Sequence, residues 1–196
     1  MNDELYRLHH ARLLEIFRRF SYEEREVTLA SGAKSNFYFD SKQSVLSAEG
    51  HFLVGWLFGR LLAEKAPEVE AVGGLTMGAD PLASATSTLS YLSGRNLRAF
   101  YVRKEAKGHG TGAFLEGTKR VPAGARVAIV EDVVTTGNAS KTAAERLRAH
   151  GYIVDTVLTI VDREAGGRDA LGALGLTLFS LFTVRDFQSE KTTRTS

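Results

Sequence analysis

The chain has 196 residues, 43% of them hydrophobic, with 25 Lys and Arg against 23 Asp and Glu for a formal net charge of +2. That length suits one well-covered core and is short for two domains, and so even a charge balance gives no reason to expect a general nucleic-acid or membrane binder. The absence of cysteine excludes disulfides, thiolate nucleophiles and cysteine-bound zinc, and no apolar run approaches membrane-spanning length. In chain order, the charged and amphipathic start Asn2-Asp3-Glu4-Leu5-Tyr6-Arg7 lacks the apolar core of a secretion signal, so a cytoplasmic protein is expected. Leu5, Leu8, Leu13, Ile16, Phe17 and Phe20 recur at helical spacing and predict an amphipathic helix over about 3–20. Residues 27–30 and 36–40 are rich in strand formers around a turn-like 31–35, which predicts a hairpin ahead of the main sheet. A helix over about 47–65, a strand over 69–74, a helix over 81–92 and a strand over 97–103 follow, an alternation that favours a parallel sheet.

Residues 104–117 hold four glycines, two lysines and a histidine with few apolar groups, a composition that predicts a mobile loop. Beyond it come a central strand at 127–130, a helix over about 139–150, a strand over 152–162, a Gly-rich stretch, a last strand over 176–184 and a polar tail over 188–196. His9, His10, His51 and His150 have no ligand spacing and read as surface or capping residues.

The most informative stretch is Val127 to Ser140, which passes from a buried strand through two acids to an anion-binding helix start. Adjacent strand side chains point to opposite faces, so Glu131 and Asp132 are expected to serve one ligand only if the chain turns as the strand stops. Thr135-Thr136-Gly137 supplies the turn: Gly137 allows φ > 0 and close backbone approach, and Asn138 stands near the helix N-terminus, where free N–H groups favour phosphate. Upstream, Gly73 to Pro81 forms a second strand–loop–helix junction, with Pro81 suited to the first helical turn and Asp80 to its cap. In an open parallel sheet ligands sit beyond the carboxyl ends of strands. Gly73-Gly74, Arg103-Lys104, Glu131-Asp132 and Asp162-Arg163 all fall at such ends and converge on one rim.

The stretch of four apolar residues, an acid pair, two apolar residues and Thr-Thr-Gly closely resembles the phosphoribosyl-diphosphate (PRPP) signature of type I phosphoribosyltransferases. The resemblance implies an α/β fold with a central, mostly parallel sheet flanked by helices and a small N-terminal hairpin hood. It also implies a single domain over 1–196, with hood elements at about 1–45, a core at about 46–185 and the tail at 186–196. PRPP is then held by Glu131 and Asp132 through its ribose hydroxyls and by Val133, Val134, Thr135, Thr136, Gly137, Asn138 and Ala139 around the 5′-phosphate. Arg103-Lys104-Glu105-Ala106-Lys107 followed by Gly108-His109-Gly110 resembles the catalytic loop of the orotate enzymes of that family.

By that resemblance Arg103, Lys104, Lys107 and His109 contact PRPP, Lys107, His109 and Asp132 carry the catalysis, and the loop reaches into the neighbouring subunit of a homodimer. The 31–40 segment resembles the element that covers orotate, which puts Tyr38 and Phe39 on the base and Arg163, with Thr135, on its carboxylate. Planar bidentate pairing suits Arg to that group. Ala30 and Met77 stand where some orotate enzymes carry lysine, with Lys34 nearby. Mg²⁺ is the implied cofactor, reaching the protein through PRPP with no residue singled out as a direct ligand. The implied reaction is transfer of phosphoribosyl from PRPP to orotate in pyrimidine biosynthesis. The alternatives are a phosphoribosyltransferase for another base and a PRPP-sensing regulator without catalysis.

Overall fold

Alternate residues of one central strand enter two different cores, and that alternation organises the molecule. The computed structural model describes residues 3–28, 34–105 and 114–188. Helix α1 (Asp3–Phe20) leads into a hairpin of β1 (Tyr22–Thr28) and β2 (Lys34–Phe39), then a short α2 (Lys42–Val45) and α3 (Ala48–Lys65). The sheet is built from β3 (Ala71–Leu75), β4 (Arg98–Val102), β5 (Leu115–Glu116), β6 (Arg126–Val134), β7 (Ile153–Asp162) and β8 (Thr177–Thr183). Between or after them lie α4 (Ala79–Leu92), α5 (Asn138–Ala149), α6 (Gly167–Gly172) and α7 (Val184–Gln188). Strand order is β5-β4-β3-β6-β7-β8, parallel except for the antiparallel β5, and the β1–β2 hairpin forms a separate antiparallel pair.

On β6, Ala128 and Val130 join the core made with α1, α3, α4 and the hairpin, where Phe17, Leu57, Phe58, Leu62 and Leu82 are buried. Val127 and Ile129 join the opposite core with Ala143, Ala144 and Leu147 of α5. A strand covered on both faces needs apolar residues at every position, which is why 127–130 is a continuous apolar run.

Only half of the expected α1 stripe turns inward. Leu13, Ile16 and Phe17 are buried, while Leu5, Leu8 and Phe20 are exposed at 39%, 60% and 54%. The inward face instead runs through Tyr6, His9, His10 and Leu13. The His9 ring lies edge-on to Trp56 at 4.5 Å, and His10 Nε2 is hydrogen-bonded to the Leu181 carbonyl at 2.7 Å. These two histidines are therefore packing residues: both present an aromatic face, and His10 also places a ring nitrogen on a carbonyl, whereas His9 Nδ1 is buried without a partner among the described residues.

The first hairpin strand starts earlier than expected, at Tyr22, with an irregularity between Glu24 and Val27. Helix α4 starts at Ala79, so Asp80 lies inside its first turn and Gly78 takes the cap position. Short α2, β5, α6 and α7 carry too few residues to show a period and have no counterpart among the expected elements. The mobile loop expected over 104–117 lies, for 106–113, outside the described residues, as does the tail beyond Gln188. No helix among the described residues is long and apolar enough to cross a membrane.

Between β3 and β6 the register runs Ala71↔Val127, Val72↔Ala128 and Gly73↔Ile129 and stops there, while β6 continues its pairing with β7 to Val134↔Asp162. At this point glycine is required. A Cβ on Gly73 would lie 2.1 Å from the Phe100 carbonyl oxygen and 2.5 Å from its ring, and one on Gly74 would lie 2.2 Å from the Val130 carbonyl oxygen. Gly73→Ala is expected to destabilise the fold by about 1–3 kcal/mol, the usual range for overpacking. A urea midpoint equal to that of the wild type would show that the sheet is not closed at this position.

Candidate active site

The sheet opens where β3 and β6 stop pairing, and a cleft of about 180 Å³ occupies the gap. It is lined by Leu75 to Ala79, Lys104, Ile129 to Asp132, Ala139 and Ser140. The strand order reverses here, since β4 lies to one side of β3 and β6 to the other, and such a switch point is where an open sheet leaves room beyond its strand ends. Helices α4 and α5 both begin at this rim, with Ala79 at the start of one and Ala139 and Ser140 in the first turn of the other. Their free N–H groups form an electropositive surface.

The two acids lie within β6, not after it. Glu131 continues the face of Val127 and Ile129 and accepts a short hydrogen bond from Ser140 Oγ on α5. Asp132 continues the opposite face: its Oδ2 accepts from Ser41 Oγ at 2.7 Å, and its Oδ1 would lie 3.0 Å from a Cβ on Gly78. The expectation that one ligand can use both acids only if the chain turns as the strand stops is therefore corrected. Strand β3 ends at Leu75, so nothing on that side separates the faces and both carboxylates border one cleft.

The turn that follows has Gly137 at φ +79, in the left-handed region, directly before α5. A side chain there would be strained and would also meet Leu171 at 2.9 Å. Thr136, Gly137 and Asn138 border a second concavity, of about 180 Å³, facing Ala170, Leu171 and Leu174. Val134 is fully buried and Val133 packs against the core of the other face. The Thr76–Met77 peptide in the loop before α4 is cis, and Met77 is 74% exposed. One oxygen of Asp80, in the first turn of α4, is buried without a hydrogen-bond partner among the described residues, and burial raises its pKa.

Of the expected cations, Lys104 lines the cleft. Arg103 borders an adjoining hollow of about 400 Å³ with Thr76, Tyr101, Glu105 and Glu116, and pairs with Glu116 at 3.3 Å. Lys107 and His109 lie outside the described residues. Lys34 pairs with Glu26 within the hairpin at 2.8 Å.

Arg163 follows the end of β7 and reaches the hairpin, donating to Ser35 Oγ at 2.6 Å and lying 5.1 Å from the Phe37 ring centre. Burial lowers its pKa, so its charge is poorly hydrated and favours an anionic partner. Its position is held from behind, because buried Asp162 accepts from Arg168 at 2.9 Å and from the Glu164 backbone at 2.8 Å. Tyr38 lies under the Arg25 guanidinium at 3.8 Å, whereas Phe39 joins an aromatic cluster with Phe17 at 5.2 Å and Phe187 at 5.3 Å.

Ser41 and Ser140 are site residues that the sequence does not announce. Each is an ordinary serine near a helix start, and only the fold brings it to a carboxylate.

The chain matches no family model. It is similar to curated orotate phosphoribosyltransferases: 49% identical over 177 residues to that of Thermosynechococcus vestitus, covering 90% of this chain and 92% of that one. With that of Sorangium cellulosum it is 48% identical over 176 residues, covering 90% and 91%. Among solved structures it resembles Mycobacterium tuberculosis H37Rv orotate phosphoribosyltransferase in complex with PRPP, with TM-score 0.73, 33% identity and 92% of each chain covered. The complex of that enzyme with inorganic phosphate gives TM-score 0.77 and 36% identity, covering 92% of this chain and 99% of that one.

Burial pushes Glu131 up from 4.5 to about 7, with the Ser140 hydroxyl opposing the shift and the neighbouring Asp132 adding to it. The folded state thus holds a proton that the unfolded chain has released between these two values. This contribution to stability is fully present below pH 4.5 and is lost as pH rises through about 7. Glu131→Gln is expected to flatten that part of the stability–pH profile in denaturant titrations. A variant profile parallel to that of the wild type across the same window would rule out a buried, proton-holding Glu131.

Proposed function

We propose for this chain, which belongs to the orotate phosphoribosyltransferase family, that the cleft between β3 and β6 is where phosphoribosyl passes from PRPP to orotate in pyrimidine biosynthesis. The C1′–O bond to diphosphate breaks, a bond from N1 of orotate to C1′ forms, and the products are orotidine 5′-monophosphate and diphosphate. The observation that carries this placement is the acid pair, each carboxylate held by a serine, facing a cleft rimmed by two helix N-termini. A ribose presents adjacent hydroxyl donors and a phosphate presents acceptors, so a pair of carboxylates beside free N–H groups matches both ends of a sugar phosphate.

In this reading Glu131 and Asp132 accept from the ribose hydroxyls, and the segment from Val133 to Ala139 wraps the 5′-phosphate. The loop from Thr76 to Ala79, with Lys104 and Arg103, receives the diphosphate. The sugar gains positive charge as diphosphate leaves, and a nearby carboxylate favours that charge while the cations favour the departing anion. Lys107 and His109, assigned from their place in the basic motif, complete the cation set, with Lys107 the main charge stabiliser. Arg163 takes the orotate carboxylate beside Thr135. Strand β2 forms one side of the base site, with Tyr38 at its surface and Phe39 anchoring it from the core. As the N1–C1′ bond forms, the N1 proton of orotate passes to water or to the departing diphosphate, and no residue is assigned as a dedicated general base.

Among the described residues no group of three or more His, Asp and Glu side chains gathers to cage a metal, while the cleft offers the two carboxylates of Glu131 and Asp132. That donor set fits Mg²⁺ carried on PRPP oxygens, where it would neutralise diphosphate charge. The working form is a homodimer in which the basic loop of one subunit serves the site of the other.

Absorbance loss of orotate with PRPP and Mg²⁺, run beside uracil and hypoxanthine, tests the reaction. Consumption of orotate alone is expected, and binding of PRPP without consumption of any base would sink the assignment. Lys107→Ala should lower kcat far more than it weakens PRPP binding, and equal losses would refute its role in the transition state. Mixing this variant with Asp132→Ala should restore part of the activity, whereas a mixture as inactive as its components would place the loop in its own subunit's site.

A further inference from the structure

Helix α5 carries one side chain that grips the basic segment from outside the cleft. Arg146 Nη1 donates to the carbonyl of Arg103 in a short hydrogen bond, and its Nη2 donates to the carbonyl of Lys104 at 3.0 Å. The guanidinium carbon also lies 4.2 Å from the ring centre of Phe114. The backbone N–H of Arg103 donates to the Phe114 carbonyl at 2.7 Å. A single planar cation thus holds both chain segments that flank residues 106–113. Two donors in a fork and a flat face for stacking are properties of arginine that lysine lacks.

The same helix holds Ser140 on Glu131, and its first residues border the cleft in which Lys104 stands. One rigid body therefore sets three things at once: the phosphate turn, the orientation of a ribose carboxylate and the position of the diphosphate cations. From this geometry we infer that Arg146 is a positioning residue for PRPP, fixing Arg103 and Lys104 relative to the sugar-phosphate end of the site. The inference rests on the proposed placement of PRPP in this cleft. Its contacts lie at the rim and involve no buried core residue, since Arg146 and Phe114 are both half-exposed and Lys104 is exposed. Removing the side chain leaves two carbonyls that water can reach, so the fold itself loses little.

Arg146→Ala and Arg146→Lys, measured in the full-length protein, separate this role from a structural one. Loss of two charge-assisted hydrogen bonds is expected to raise KM for PRPP about tenfold in both variants. KM for orotate should stay within about twofold and the melting temperature within about 2 °C. Added guanidinium ion should restore part of the PRPP affinity of the alanine variant.

An unchanged KM for PRPP in Arg146→Ala would overturn the inference. So would a parallel rise in both KM values with a fall in melting temperature, which marks a general structural role, or full activity in Arg146→Lys, which marks a need for charge alone. Failure of the underlying reading shows separately, as a wild-type protein that consumes no orotate with PRPP.

Discussion

Everything at this site depends on the early end of one strand pairing. Strand β3 leaves the ladder after Gly73↔Ile129, and β6 goes on alone on that side to Val134. A parallel sheet normally hides each strand between two neighbours. Here the unpaired edge of β6 is the floor of the cleft, and its side chains alternate between two faces that both open into the same space. Had β3 continued alongside, Glu131 and Asp132 would have been divided by a strand and buried in different cores. The glycines of β3 permit the closeness just before the split, since at Gly74 a side chain would strike the Val130 carbonyl.

The electrostatic character of the cleft follows from that geometry. Glu131 is placed where water is largely excluded, which penalises its charge, and burial dominates its upward shift. The Ser140 hydroxyl on α5 offsets part of this penalty, and the Ser41 hydroxyl just before α2 donates to Asp132. A hydroxyl is a suitable partner because it can turn aside or accept when a ligand donates to the same oxygen, whereas a salt bridge would have to be broken. Lys104 lines the same cleft, and Arg103 borders the adjoining hollow, where it pairs with Glu116 and not with either of the two acids. That arrangement suits a substrate that is donor-rich at its sugar and strongly anionic at its ends.

Much of this is legible in the chain because its parts are contiguous. The apolar run, the acid pair, the Thr-Thr-Gly turn and the helix start follow one another from 127 to 140, so the strand, the acids it carries and the turn into α5 can be read without knowing the fold. What escapes is non-local. Ser41 reaches Asp132 across 91 positions and Arg163 reaches Ser35 across 128, and neither contact has a local pattern. The opening of one cleft to both acids escapes as well, because it depends on where a different strand stops. The misplaced face of α1 has another origin: periodicity counts histidine as polar, yet His9 and His10 form part of the packed stripe.

The β1–β2 hairpin shows how an element can be tied to the rest of the fold without belonging to the main sheet. Among the described residues its two strands pair with each other in a sheet of their own. They are held by aromatic contacts, Phe37 and Phe39 against Phe187 of α7 at 5.7 and 5.3 Å and Tyr22 against the same ring at 5.5 Å. A polar link also reaches the hairpin from the residue after β7, the bond from Arg163 to Ser35. Arg163 is itself anchored through the neighbouring Asp162, a buried carboxylate that pairs with the half-exposed Arg168. A carboxylate arriving at Arg163 would meet a guanidinium already fixed in direction and short of solvent, conditions under which bidentate pairing is strongest. Because the same guanidinium touches Ser35 and Phe37, an anion bound at Arg163 would bear directly on the position of the hairpin.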